Sequence, residues 1–201
     1  MAGRRLSSEE RRSQIVKISA ELFSRKGFKG TTTKAIAKKV GISEAMIFRY
    51  FPTKDDLYNA IIIDRVGDKD DIFFPIEAAN QRDDYKVFEA LADYLMKKNE
   101  DDTVFLRLLQ FSILEGHRLS DIFFETHIRK KTQFLSDYVE KRIAEGAFKG
   151  MPPFLIARGF LGMVVQYIMG KEIFWKEDEL QYSRKEVVET FVNIFLEGIK
   201  K

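Results

Sequence analysis

From Thr31 to Leu57 the chain reads TTTKAIAKKVGISEAMIFRYFPTKDDL, a run that few folds can accept. Apolar residues recur at helical spacing on either side of Gly41, first Ile36, Ala37 and Val40, then Ile47 and Phe51. That pattern predicts two short amphipathic helices with a tight turn between them. Thr32 and Ser43 carry the oxygens that cap helix N-termini. Gly41 occupies the turn, where a positive φ is expected and any side chain would cost energy. Ile42 before the second cap and Ile47 at the fourth helical position form a hydrophobic staple that fixes the approach angle. Pro52 ends the second helix, and Thr53 with Asp56 caps a third that runs through Leu57, Ala60 and Ile61 to about Val66. Two helices joined by a short Gly-containing turn form a helix-turn-helix, in which the first helix braces a second whose N-terminal residues enter the major groove of DNA. With Ile47 and Phe51 inward, Glu44, Ala45, Met46 and Arg49 face outward.

The segment before it supplies a brace. Ser7 with Glu10 fits a capping box, and Ile15, Ile18 and Leu22 follow at helical spacing, widened by Val16, Ala20 and Phe23. Gly27 stands where a left-handed C-terminal cap is needed, with Phe28 packing back on Phe23. Arg4, Arg5, Arg11 and Arg12 precede or open this helix. They form either a basic arm near phosphates or a solvated terminus.

Charge divides along the chain. Residues 1–60 hold 13 Lys/Arg against 6 Asp/Glu, a balance of +7, whereas the remainder holds 21 against 25, a balance of −4. A basic end on an acidic body is the asymmetry expected when one end meets a polyanion.

Several function classes fall away. There is no cysteine, so no disulfide and no thiolate chemistry, which fits a reducing cytoplasm. His117 and His127 are the only histidines, and their ten-residue spacing does not put them on one helix face, so neither a metal site nor a catalytic base is indicated. No nucleophile elbow or phosphate-cradling glycine loop appears. MAGRRLSSEERR has no apolar stretch behind it, so it is not a signal peptide. The most apolar segment, residues 154–169, is broken by Arg158 and Gln166, so no spanning helix is expected.

From about Asp68 the pattern stays helical. GDKDDIFFPI suggests a loop or kink at Pro75. Residues 84–98 carry Val87, Phe88, Leu91 and Leu95. Asp101 would cap a helix through Phe105, Leu108 and Ile113 to Gly116. Ser120 would open a long helix closed by Gly146. Pro152-Pro153 marks a new start, and Ser183 with Glu186 is a second capping box leading to Ile199. No segment reads as a strand. The expected fold is all-α with about nine helices: an N-terminal DNA-binding domain over residues 1–54, and a helical regulatory and dimerisation domain over residues 55–201.

The run from Gly27 to Leu57 resembles the DNA-binding domain of the TetR family of bacterial regulators. The resemblance is carried by Gly27-Phe28, Thr31-Thr32-Thr33, Ile36-Ala37, Gly41-Ile42-Ser43, Ile47-Phe48, Tyr50-Phe51, and Lys54 with Leu57. It departs from the family pattern at Ala45, at Phe48 in place of a tyrosine and at Tyr50 in place of a histidine. These changes bear on which bases are read and leave the fold untouched. Phe48 lacks a hydroxyl that could meet a phosphate, while Tyr50 keeps one.

A regulator of this kind implies a double-stranded DNA operator, a small-molecule effector and a homodimer, with no cofactor, no membrane and a cytoplasmic setting. Lys34, Lys38, Lys54 and Tyr50, with Thr33 and Ser43, would hold phosphates. Arg49, Met46, Ala45 and Glu44 would meet base edges, with the Arg fork suited to guanine and Met or Ala to a thymine methyl. The resemblance also implies an effector pocket among the middle helices, for which Leu108, Gln110, Phe111, Phe134, Tyr138 and Gln166 are candidates. Phenylalanines at helical spacing serve equally as core. The last two helices would pair with a second subunit through Phe160, Val164, Ile168, Val188, Phe191 and Phe195, or else form the body's own core. A helical ligand carrier with only non-specific DNA binding, and an enzyme, are the competing classes.

Overall fold

In a computed structural model, residues 6–66, 73–100, 103–173 and 182–201 are described. They form α1 (Ser8–Lys26), α2 (Thr33–Val40), α3 (Glu44–Tyr50), α4 (Lys54–Val66), α5 (Ile76–Asn80), α6 (Asp84–Glu100), α7 (Thr103–Glu115), α8 (Arg118–Phe123), a π-helical turn (Phe124–Ile128), α9 (Arg129–Ala144), α10 (Pro153–Ile173) and α11 (Arg184–Ile199). Nine of these helices have seven residues or more, and the fold is all-α. Among the described residues the only β-type pairing is an isolated bridge between Phe148 and Lys200. Arg4, Arg5 and the Asp101 cap lie outside the described residues.

The caps explain where the helices begin. Ser7 and Glu10 close a reciprocal capping box at α1, and Ser183 and Glu186 do the same at α11. Ser120 does not open a helix as expected. Its amide donates to Ser112 Oγ and its hydroxyl to the His117 carbonyl, so it sits inside α8, which starts after Gly116 (φ 68°) and His117. The long helix expected from there to Gly146 is interrupted by the π turn.

The chain divides into two compact units. The first holds residues 1–69 with 104–123, the second residues 70–103 with 124–201. The first is therefore larger than residues 1–54. The physical reason is packing: Leu57, Tyr58, Ile61 and Ile62 of α4 and Leu108 of α7 share one core with Ile15, Phe23, Ile36 and Ile47.

In the second unit, α10 packs against α9 and α6, and α11 packs against α6. Its centre is a group of aromatic rings. Phe88 meets Phe160 edge-on at 4.7 Å, and Phe195 closes the group at 5.1 Å from Phe160 and 5.7 Å from Phe88. A buried carboxylate joins α6 to α9. Asp84 accepts the Tyr138 hydroxyl at 2.6 Å and the Arg142 guanidinium at 2.8 Å and 3.2 Å. Burial first, then the Asp84 bond, pushes the Tyr138 phenol well above the usual tyrosine range. Among the described residues one stretch, Pro153–Lys171, is long and apolar enough to cross a membrane. Its buried face, Ile156, Ala157, Phe160 and Val164, belongs to this unit's core.

Candidate nucleic-acid interface

The helix-turn-helix is assembled by local chemistry. Thr32 Oγ1 accepts the Ala35 amide at 3.1 Å and starts α2. Gly41 ends it in the left-handed conformation (φ 80°, ψ 35°), which a side chain would resist. Ser43 Oγ accepts the Met46 amide at 3.2 Å and starts α3. Ile47 is the residue that anchors α3, 1% exposed beside Ile36 and Val40 in the core. One helical face thus points inward, and the other is left to solvent.

That outer face carries Ala45, Met46, Phe48 and Arg49, all exposed, with Phe48 at 43%. Lys34 and Lys38 are exposed on α2, and Lys39, which the pattern did not single out, joins them. Ser43 is exposed at the head of α3, and Tyr50 is half-buried at its end. Large apolar groups such as Met46 and Phe48 beside an arginine and three lysines give a surface able to touch base edges and phosphates together. Thr33 and Glu44 are partly buried and bonded to each other, the Thr33 hydroxyl donating to the Glu44 carboxylate. The pair therefore pins α2 to the start of α3 before either meets a ligand.

Lys54 is engaged within the protein. Its ammonium donates to the Phe28 carbonyl at 2.8 Å and the Thr31 carbonyl at 3.0 Å, and lies 4.1 Å from the centre of the Phe28 ring. Two of its three donors are thus engaged inside the protein, so it serves as a brace for the turn between α1 and α2. Lysine in the first turn of a helix opposes the helix dipole, and those two carbonyls are what offset the cost.

Sequence patterns missed one contributor entirely. Glu115, at the end of α7, accepts the Phe28 amide at 2.9 Å and the Lys29 amide at 3.2 Å. Close by, the His117 ring lies 4.9 Å from Phe28 and 4.4 Å from Tyr58, and its Nε2 is 3.6 Å from Asp55. Tyr58 donates its hydroxyl to the Leu108 carbonyl at 3.4 Å. Burial, then the charge of Glu115, pushes this phenol up to about 12.

The candidate effector residues do not form one group. Leu108 is buried in the core of the first unit, and Gln110 and Phe111 are half-buried on the same helix. Phe134 packs on Phe74 at 5.1 Å, Tyr138 is tied to Asp84, and Gln166 is exposed, all three in the second unit. That unit has a groove of about 630 Å³ whose walls include Phe124, Ile128, Phe154, Arg158, Leu161 and Val165. None of the expected pocket residues lines it, whereas Phe134 and Tyr138 both line a second cavity of about 390 Å³ in the same unit.

The residues expected to pair subunits are mostly internal. Phe160 and Val164 are fully buried, and Ile168 and Val188 nearly so, because they fill the core of their own unit. Phe195 is half-buried in the ring group, and Phe191 meets Tyr167 edge-on at 5.5 Å. The exposed face of α10 and α11 instead presents Leu155, Gly159, Gly162, Val165 and Ile194. His117 lies in the aromatic group of the first unit and His127 is buried in the π turn. Among the described residues no three His, Cys, Asp or Glu side chains cluster to hold a metal ion.

Comparison with known proteins follows this division. Residues 15–61 match the family model described as bacterial regulatory proteins, tetR family. The chain is 44% identical over 57 residues to the nucleoid occlusion factor SlmA of Mannheimia succiniciproducens, a match spanning 28% of this chain and 26% of that protein. It thus aligns with about a quarter of that relative's length. Over 190 residues it is 22% identical to the HTH-type transcriptional regulator YvkB of Bacillus subtilis, covering 92% of this chain and 95% of YvkB. The ketosteroid transcriptional regulator KstR2 of Mycobacterium tuberculosis shares the fold, with a TM-score of 0.63, 18% identity, and 98% and 97% of the two chains covered. Residues 15–61 thus carry the helix-turn-helix domain of the tetR family of bacterial regulatory proteins, a family of DNA-binding transcriptional regulators, and the chain as a whole shares the all-helical fold of KstR2.

Proposed function

We propose that this protein is a sequence-specific, homodimeric transcriptional repressor, released from a palindromic operator by a small, largely apolar ligand. The observation that carries this is the outer face of α3, where Ala45, Met46, Phe48 and Arg49 stand clear of the core beside Lys34 and Lys38. Lysines supply affinity through phosphates, and Arg49 supplies discrimination through base edges. One such face reads half a site, and a dimer reads two, spaced by about 34–36 Å or a multiple of it.

The exposed face of α10 and α11 supports pairing. Gly159 and Gly162 keep the α10 surface low between Leu155 and Val165, and Ile194 stands 61% exposed on α11. Small residues let a partner helix come close while the flanking apolar groups lose contact with water. The groove that shares Gly162 and Val165 with this face, mostly apolar with Arg158 in its wall, is of a size that takes a small ligand. A ligand that prefers one subunit spacing would shift the population away from the spacing that fits the operator.

Selection from random duplexes by the full-length protein tests the proposal. A palindromic consensus is the expected result. Absence of enrichment, with retention that depends only on salt, would refute it and leave a helical carrier whose basic end binds any duplex.

A further inference from the structure

The turn leading into the helix-turn-helix is held by side chains from two distant places. Where α1 ends, the amides of Phe28 and Lys29 need acceptors, and among the described residues theirs is the Glu115 carboxylate, 86 and 87 positions away. On the acceptor side, Lys54 engages the carbonyls of Phe28 and Thr31. Gly27 makes room for this. A Cβ there would stand 2.5 Å from Glu115 Oε1 and 2.8 Å from the Phe111 ring, so a larger residue would push the carboxylate away from the two amides. His117 packs against both Phe28 and Tyr58, which also meet each other, and Tyr58 is bonded back to α7. A carboxylate that accepts two neighbouring amides makes charge-assisted bonds, stronger than the neutral ones elsewhere in the turn.

We propose that Glu115 is a positioning residue for DNA recognition. It sets the Gly27–Thr31 turn, and with it the direction in which α2 leaves its Thr32 cap and presents α3. The inference rests on the DNA-binding function proposed above and adds its regulation. Thr103 and Phe124, which flank this segment in the chain, belong to the second unit. The segment that carries Glu115 is therefore joined by chain to the second unit at both ends, and Glu115 in turn meets Phe28 and Lys29 through hydrogen bonds.

The test compares full-length Glu115→Ala and Glu115→Gln with wild type and with Val192→Ala, a core truncation in the second unit that lowers stability without touching the turn. Amide exchange without DNA reads the positioning. Operator affinity at fixed salt, corrected for active fraction, reads its consequence. In Glu115→Ala, exchange should rise at Phe28, Lys29 and the first turn of α2 while Ile47 keeps its protection. Operator affinity should fall about tenfold or more with the base preference unchanged. Glu115→Gln keeps one acceptor oxygen at the same reach and should recover most of the affinity. Val192→Ala should stay within about twofold of wild type, since it removes no group that bonds the Gly27–Thr31 turn. Wild-type affinity in Glu115→Ala would overturn the inference, as would an equal loss in Val192→Ala at matched melting temperature. If Glu115→Ala does not fold, Glu115→Asp, too short to reach both amides, takes its place under the same criteria. If the wild type selects no duplex, the DNA-binding function fails and exchange alone decides. Increased exchange reaching α2 then upholds the positioning role, and unchanged exchange overturns it.

Discussion

Replacing Lys54 with methionine separates two roles that a lysine near DNA can play. Methionine keeps the apolar stem and removes the ammonium, and with it the bonds to the Phe28 and Thr31 carbonyls and the contact with the Phe28 ring. Hydrogen bonds to a charged group are worth about 1.5–3 kcal/mol each, and an exposed cation–π contact about 0.5–1 kcal/mol. Lys54 is only half-buried and water can replace part of what is lost, so the expected destabilisation is about 2–3 kcal/mol in total. The assay has two arms: urea unfolding followed by a probe in the first unit, and operator affinity measured across a range of salt. A turn brace predicts lost stability with an unchanged salt slope. A phosphate contact predicts intact stability with a slope reduced by about 1.8, one contact being lost from each subunit of the dimer. That second pattern would refute the role assigned to Lys54.

Arg49→Ala should cost about 1–3 kcal/mol on the selected operator and relax the preference at one base position, read by repeating the selection with the variant. Tyr58 gives a signature in alkali. Its folded pKa of about 12 lies above the ordinary 10.0, so its contribution is fully present below pH 10 and is lost as pH rises from 10 to 12, by about 2–3 kcal/mol. Tyr58→Phe should flatten that part of the stability profile relative to wild type, and equal slopes would count against the buried phenol. Phe160→Ala removes the ring at the centre of the second unit and should destabilise by about 3–5 kcal/mol in urea. Leu155→Glu places a charge on the exposed α10 face, and sedimentation velocity should then show monomers where wild type sediments as a dimer.

What could be read from the residues alone depended on how local the physics was. The helices of the DNA-binding region announced themselves because each brings its own cap: Ser7 with Glu10, Thr32, Ser43, and Thr53 with Asp56. The outward set on α3 followed from the same periodicity that buries Ile47. The internal bonds of Lys54 were not legible because its acceptors lie 23 and 26 residues earlier, and a lysine at a helix start gives no hint of them. Glu115 left no trace at all for the same reason. In α10 the pattern failed differently. Apolar residues surround that helix, so periodicity cannot tell Phe160, which turns toward Phe88, from Leu155, which turns toward solvent. Ser120 offered a capping signal, but Ser112 and His117 had already claimed its hydrogen bonds.

The span between Phe28 and Glu115 also orders events during synthesis. A chain made at about 5–20 residues per second reaches Glu115 roughly 4–17 s after Lys29 has been added. Through that interval α1, α2 and α3 can form from their own caps, but the two amides after α1 have only water to bond. The helix-turn-helix, made before Glu115, is therefore finished late, when the middle of the chain arrives to close the turn. Until then the turn that leads into α2 is held only by its own local bonds.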